Sequence, residues 1–302
     1  PEVDVVHTHG PYVYPSYAAA HAAFRHRKPL VYSQRGNFAA ESIRFRAAKK
    51  RLYIAAVEKP IMKRAASLVA LTEVERAAYR ALNVRTPIAL VPNGTFIPAD
   101  RPDAPGRVHK RFKIPPDAQL ILFLARLHPN KQPDRLMDAF MQVMNEFPRA
   151  VLMIAGPDEW EMEKAMRERA GPAGDRVLFP GMIGGEEKAD VLARADLFCL
   201  PSVAEGFSNA VLEALASSTA VMLSPACNFP EVQDANCGVV VSDDPRAMAA
   251  SLRALLADPV HLRAMGVAGR RLVADRYSWD VITDRLVDLY REVTATTRAM
   301  AS

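Results

Sequence analysis

Glu205-Gly-Phe-Ser-Asn-Ala-Val-Leu-Glu213, with the run Asp196-Leu-Phe-Cys-Leu-Pro-Ser202 just before it, is the stretch whose reading decides the fold. The run is short, apolar and stopped by proline, which reads as a buried strand. Ser208 is a residue type favoured at a helix N-cap, and the residues from Asn209 to Ala216 continue as helix. A buried strand that passes through a short loop into a helix is the repeating unit of parallel α/β sheets. A helix start leaves free N–H groups and a partial positive charge, which suit a phosphate. Glu213 lies one turn further in and could accept hydrogen bonds from the hydroxyls of a sugar. The layout suggests a sugar-nucleotide site, with amides for the phosphates and carboxylates for the hydroxyls.

On either side of this stretch, short apolar runs alternate with helical patterns, the signature of βαβ units. Strands are predicted at Asp4–His9, Leu30–Ser33, Ser67–Leu71 and Ile88–Pro92, with helices at Tyr14–Arg27, Glu41–Arg64 and Glu73–Leu82. Pro98-Ala-Asp-Arg-Pro-Asp-Ala-Pro-Gly106 is rich in proline and charge and reads as a linker. Beyond it, strands are predicted at Gln119–Ala125, Ala150–Ala155, Arg176–Phe179, Asp196–Leu200, Ala220–Leu223 and Gly238–Val241. Three helices close the chain, at Asp244–Ala257, Pro259–Arg276 and Trp279–Thr297. The expected division is a first Rossmann-like domain over 1–97, a linker over 98–118, a second domain over 119–278, and a helix over 279–302 returning to the first. Pro1-Glu-Val-Asp-Val-Val enters a strand almost at once, and a doubly wound domain usually has strands on both sides of its central one. The first domain is therefore expected to be incomplete.

The bulk properties exclude several classes. The chain has 302 residues, half of them hydrophobic, enough for two domains with real cores. No apolar run reaches the roughly 18 residues that span a bilayer, and no secretory signal opens the chain. Cys199, Cys227 and Cys237 lack metal-ligand spacing and read as reduced thiols of a cytoplasmic protein. Charge is uneven: residues 1–94 hold 15 Lys+Arg against 6 Asp+Glu, a net of +9, and the remainder is net −4. The first part is thus suited to an anionic partner or surface. No nucleic-acid motif or stacking pattern accompanies that charge, so nucleic acid is not an expected partner. No His/Cys cluster or strand-borne Asp-x-Asp suggests a metal.

Ala125-Arg126-Leu-His-Pro-Asn-Lys131 leaves the first strand of the second part and enters a helix near Pro133. Two cations at the C-terminal end of a strand face the crevice where open α/β sheets bind ligands. Arginine can fork onto a diphosphate, while lysine acts as a point charge. Arg126 and Lys131, then Phe179-Pro-Gly-Met-Ile183, then Glu205 and Glu213, occur in an order that resembles family 4 retaining glycosyltransferases of GT-B fold. Val91-Pro-Asn-Gly94 and His7-Thr-His9-Gly10 also match, so the resemblance covers essentially the whole chain. One departure is Ala125, where that family usually has glycine.

The resemblance implies two Rossmann-like parallel-sheet domains facing a cleft, and it implies roles. Arg126 and Lys131 would hold the donor diphosphate. Glu213 would grip the nucleotide ribose, and Glu205 would contact the transferred sugar with the amides of Gly206 and Phe207. Ser208 and Asn209 would complete the anion-binding helix start. Met182 and Ile183 would meet the nucleobase through the backbone, and Asn93 belongs to the matching Val91–Gly94 segment. A histidine after the first strand would touch the donor sugar, and His9, nearer the strand's C-terminal end than His7, is favoured. The reaction implied is retaining transfer from a nucleotide diphosphate-sugar to a glycan or lipid-linked acceptor, in cell-surface polysaccharide synthesis. The donor is a substrate, and neither cofactor nor metal is implied. Arg35 could bind an acceptor phosphate or cap the sheet. Arg44, Arg46, Lys49, Lys50 and Arg51, interspersed with Ile43, Phe45, Leu52 and Tyr53, could form a solvated face or touch an anionic membrane surface. A sugar-nucleotide-binding fragment without turnover and a GT-B epimerase are the alternatives. A phosphorylase is disfavoured because no cofactor-lysine context is present.

Overall fold

The computed structural model describes residues 3–35 and 47–301. The chain packs as two compact units, one formed by residues up to Asn93 together with those from Trp279 onward, the other by Gly94–Ser278.

In the first unit the elements are β1 (Val6–His9), α1 (Tyr14–Arg25), β2 (Leu30–Ser33), α2 (Ala47–Tyr53), α3 (Lys59–Arg64), β3 (Ser67–Ala70), α4 (Glu73–Ala81) and β4 (Ile88–Leu90). The four strands pair in parallel in the order β1-β2-β3-β4, with His9 opposite Ser33 and Ser33 opposite Val69. Successive strand residues point to opposite faces, and both faces here are apolar, as a parallel sheet requires. Leu30, Tyr32 and Leu68 pack with Ala20, Ile61, Met62 and Tyr79 on one side. Val31, Val69 and Val91 pack with Ile282, Leu289 and Val293 of the C-terminal helix (Trp279–Ala301) on the other. The predicted helix over Glu41–Arg64 is continuous over its described residues but not uniform. Between α2 and α3 runs a π-helical turn, Ile54–Glu58, and residues 41–46, with Arg44, Arg46, Ile43 and Phe45, lie outside the described residues.

The second unit holds α5 (Ala104–Phe112), β5 (Gln119–Leu124), α6 (Pro133–Val143), β6 (Ala150–Ala155), α7 (Met162–Ala170), β7 (Val177–Gly181) and α8 (Gly185–Arg194). It continues through β8 (Leu197–Leu200), α9 (Asn209–Ala216), β9 (Ala220–Leu223), α10 (Glu231–Asp234), β10 (Gly238–Val240), α11 (Pro245–Ala257) and α12 (Pro259–Arg276). Its six strands are all parallel, in the order β10-β9-β8-β5-β6-β7. Strands are added on one side of β5 by β6 and β7 and on the other by β8, β9 and β10. The order therefore reverses between β5 and β8, and ligands of doubly wound sheets bind outside the C-terminal ends of strands at such a reversal. β5 and β6 are buried almost end to end, so their continuous apolar runs are explained by helices covering both faces.

Residues 98–118, expected to be a linker, instead carry α5. Pro105 falls in the first helical turn, where a proline is tolerated because its missing N–H has no intrahelical partner. Val108 is buried, and charges fix the helix to α8. Arg107 forks onto Asp190 at 2.6 and 2.7 Å, and Arg101 adds a third bond to the same carboxylate at 2.7 Å. These guanidinium groups, Arg107 first, hold the Asp190 carboxyl below its ordinary pKa. Proline and charge density alone therefore misread a docked helix as a linker.

Candidate functional site

At the strand-order reversal of the second unit, two loops emerge side by side. The first leaves β5 through Ala125 and Arg126 and closes in a 3-10 turn, Pro129–Lys131. The second runs from Pro201 to Ser208 between β8 and α9. Ser202, fully buried, joins them: its hydroxyl donates to the Asn130 carbonyl at 2.8 Å, and the Val203 amide donates to the same oxygen at 2.8 Å. Asn228 braces the second loop by donating to the Glu205 carbonyl at 2.8 Å. With both backbones pinned, Lys131 Nζ bonds Glu205 Oε1, and both side chains are largely sheltered from water.

Arg126 points to a different partner. Its guanidinium bonds Glu159 at 3.1 Å, with both side chains more than half exposed, so that pair contributes little to stability and can exchange readily for another anion. Between the two cations, His128 accepts the Asn130 amide on Nδ1 at 3.0 Å and meets the edge of Trp160 at 4.7 Å. Burial first, then Arg126 and Lys131, lowers the His128 pKa. A neutral His128 adds no third charge to the cation pair.

The close approach that a glycine would relieve before Arg126 is met across the sheet. Gly156, at the end of β6 with φ +148°, lies where a Cβ would be 1.8 Å from the Ala125 carbonyl oxygen. Only glycine fits there, and Ala125 retains its methyl.

Glu213 sits in the second turn of α9 and is held by Lys188 of α8, whose Nζ reaches its two oxygens at 2.8 and 2.7 Å. Ser208 occupies the N-cap position of α9, but its side chain makes no capping bond, contrary to the expectation from residue type. Asn209 is the first helical residue, and Gly206 lies in the loop before it. The Phe207 ring is part of an aromatic cluster, 5.4 Å from Phe229 and 5.8 Å from Tyr277, so its side chain anchors the loop. After β7, Met182 is 77 % exposed while Ile183 is buried.

The first unit gathers a second set at the C-terminal ends of its strands. Arg35, two residues after the end of β2 and with φ +55°, donates from Nε and Nη2 to His9 Nδ1 at 3.2 and 3.1 Å and from Nη1 to Asn93 at 2.6 Å. Three expected site residues from three strand ends are thus one bonded group. Burial, and then Arg35, lowers the His9 pKa, which keeps the ring neutral as an acceptor. His7 stacks on His9 with ring centres 4.1 Å apart, and its nitrogens bond Tyr290 at 2.7 Å and Ser33 at 2.8 Å. Burial, His9 and Arg35 together hold His7 at a pKa of about 3. Glu58, buried at the end of the π-helical turn, accepts the Tyr32 hydroxyl at 2.6 Å and the Tyr12 amide at 3.0 Å, fixing the loop that follows β1. π-helical turns recur at functional sites.

Sequence reading did not single out Lys188, Glu159, His128, Asn228, Gly156 or Glu58. Only Gly156 carried a local signal, a glycine directly after a buried strand. The others owe their place to partners distant along the chain. Among the described residues, no group of three His, Cys, Asp or Glu is placed to hold a metal ion, and no helix is long and apolar enough to cross a membrane. The first part of the basic segment falls outside the described residues; Lys49, Lys50 and Arg51 lie on α2, beside an exposed Leu52.

A family model described as "Glycosyl transferases group 1" matches residues 118–258, and one described as "Glycosyl transferase 4-like domain" matches residues 1–94. A D-inositol 3-phosphate glycosyltransferase of Segniliparus rotundus is 32 % identical over 233 residues, 74 % of this chain and 51 % of that protein. A phosphatidyl-myo-inositol mannosyltransferase of Mycolicibacterium smegmatis is 32 % identical over 209 residues, 67 % of this chain and 51 % of that protein. The chain spans about half the length of the curated relatives it matches. Among solved structures, HepE of Anabaena with UDP and glucose superposes with a TM-score of 0.80 at 17 % identity, over 96 % of this chain and 78 % of that one. Sucrose-phosphate synthase of Thermosynechococcus elongatus gives 0.74 at 23 % identity, over 97 % and 74 %. At these identities the structural likeness is one of fold, two parallel-sheet α/β domains of GT-B type.

Proposed function

Since the chain belongs to the group 1 glycosyl transferases of GT-B fold, we propose that it moves a sugar from a nucleotide diphosphate-sugar to an acceptor hydroxyl with retention at the anomeric carbon. The observation that carries this reading is the placement of Lys131 against Glu205 at the strand-order reversal of the six-stranded sheet. A cation and a carboxylate, held together by pinned loops, match the two ends of the bond to be broken. Lys131 and Arg126 take the diphosphate, and Glu205 takes hydroxyls of the transferred sugar. Glu213, aligned by Lys188, takes the ribose hydroxyls, and the backbone around Met182 and Ile183 meets the base.

In the reaction the bond between the anomeric carbon and the diphosphate oxygen breaks, and the diphosphate departs with the electron pair. The acceptor oxygen bonds the anomeric carbon from the same face, and its proton passes to the departing phosphate oxygen. Negative charge grows on the diphosphate as it leaves, and fixed cations at that point lower the barrier without a metal. His9, neutral and held by Arg35, is the unit-one group assigned to the sugar.

The acceptor proposed is a phosphorylated polyol or glycan, free or lipid-linked. Two features support it: the net charge of +9 over residues 1–94 and relatives named for inositol phosphate and phosphatidyl-inositol. Peripheral contact of Lys49, Lys50, Arg51 and Leu52 with an anionic membrane at the cytoplasmic face belongs to the same proposal. Incubation with sugar nucleotides and inositol phosphate, followed by NMR of the product's anomeric proton, tests it. A product with the donor's anomeric configuration is expected; an inverted product would refute the mechanism.

A further inference from the structure

The first unit carries a cavity that the proposed transfer does not use. It has a volume of about 820 Å³, within the range of small-molecule sites. It lies at the N-terminal end of the sheet, where Leu30, Ser67 and Ile88 open β2, β3 and β4. His9, Arg35 and Asn93 are at the opposite end, roughly 10 Å away along four-residue strands. The cavity is therefore separate from that group.

Its walls have two characters. Phe24, Leu30, Ala65 and Val293 make an apolar floor shared by α1, the sheet and the C-terminal helix. Arg27, Lys28 and Arg64 line the same space from the ends of α1 and α3. Arg64 lies over the Phe24 ring at 4.0 Å, which holds the guanidinium against the apolar wall. Arg27 is in the left-handed region at φ +51°, in the turn that places Lys28 beside it. Among the described residues none of the three cations is in an ion pair, although Glu292 also lines the cavity. Cations near helix C-termini commonly offset the helix dipole. Two such ends carry roughly half a negative charge each, so three cations against these ends and Glu292 leave an excess of positive charge.

We propose that this cavity binds a single-chain anionic amphiphile, with its phosphate or carboxylate head on Arg27, Lys28 and Arg64 and its alkyl chain on the apolar floor. A free anion would leave that floor wet, and a neutral amphiphile would leave the cations without a partner. Both halves of the lining are used only by a molecule carrying both characters.

Calorimetric titration of the chain with dodecyl phosphate, kept below its micelle-forming concentration, tests this. One-to-one binding is expected, with dodecyl maltoside, dodecyltrimethylammonium and inorganic phosphate each weaker by about tenfold or more. Arg27→Glu combined with Lys28→Glu should weaken dodecyl phosphate by about tenfold or more. Thr297→Trp, which fills the cavity from the C-terminal helix, should abolish binding. The charge variant stands alone if thermal melting shows Thr297→Trp to be misfolded. Equal affinity for dodecyl maltoside, or binding indifferent to the charge variant, would overturn the proposal. Association only with phosphatidylglycerol vesicles, unchanged by Thr297→Trp, would also overturn it and indicate surface adsorption.

Discussion

Lys131 and Glu205 show how a site residue is built from its neighbours. Ser202 and Asn130 join the two loops, and the ion pair follows from that joining. Lys131→Ala or Arg126→Ala should lower turnover about 100-fold or more, the usual cost of removing one group that stabilises leaving charge. Steady-state transfer assays check this, and near-normal rates would remove both residues from the diphosphate clamp. Glu213→Gln should instead weaken nucleotide affinity by about tenfold, read by titration with the nucleoside diphosphate. Gly156→Ala should destabilise the second unit by about 1–3 kcal/mol, because the new methyl meets the Ala125 carbonyl. A urea midpoint unchanged from wild type would show that the strand ends can yield.

His7 ties stability to pH. Unfolded, its ring titrates near 6.5, and folded near 3. Over that interval the unfolded chain takes up a proton that the folded chain excludes. The contribution of neutral His7 is complete above about pH 6.5 and is lost as pH falls toward 3, with a slope approaching about 1.4 kcal/mol per pH unit. His7→Gln should flatten that slope in urea titrations. Arg126, Lys131, Glu205 and Glu213 were legible in the sequence because they stand at fixed short distances from strand ends and a helix start. Lys188, Asn228 and Glu58 were not, because a lysine on a charged helix or a glutamate in an alanine-rich one looks like solvated surface until its partner is placed.

At the scale of elements, strand positions followed from apolar runs bounded by turn residues, and the ends differ by a residue or two. Two departures have physical causes. The helix predicted over Glu41–Arg64 is helical at every described residue, 47–64, and departs from the expectation only in the π-helical turn that ends at Glu58, whose carboxylate accepts from Tyr32 and Tyr12. The stretch 98–118 reads as a linker because its composition does not show that two of its cations have fixed partners far along the chain. Arg101 and Arg107 are spent on Asp190 of α8. Asp190→Ala should therefore loosen α5, seen as faster tryptic cleavage within 101–113 and a lower urea midpoint. Unchanged cleavage would mean that Val108 and its neighbours suffice to dock the helix.

For the whole molecule, two parallel sheets follow from alternating strands and helices, but the assignment of the last helix to the first unit depends on packing. Ile282, Leu289 and Val293 cover Val31, Val69 and Val91, each buried side chain contributing roughly 1.5–3 kcal/mol. A chain ending at Ser278 should lose amide protection in β2 and β3 while β5, β6 and β8 stay protected, as read by hydrogen exchange.

The central claim is that the second unit holds a nucleotide diphosphate-sugar through Lys131, Arg126 and Glu213. Its most direct test is calorimetric titration of wild type, Lys131→Ala and Glu213→Gln with uridine, guanosine and adenosine diphosphates. The expected result is saturable one-to-one binding of at least one nucleotide to wild type, weakened by about tenfold or more in each variant. Binding of none of them, or equal affinity in all three proteins, would contradict it.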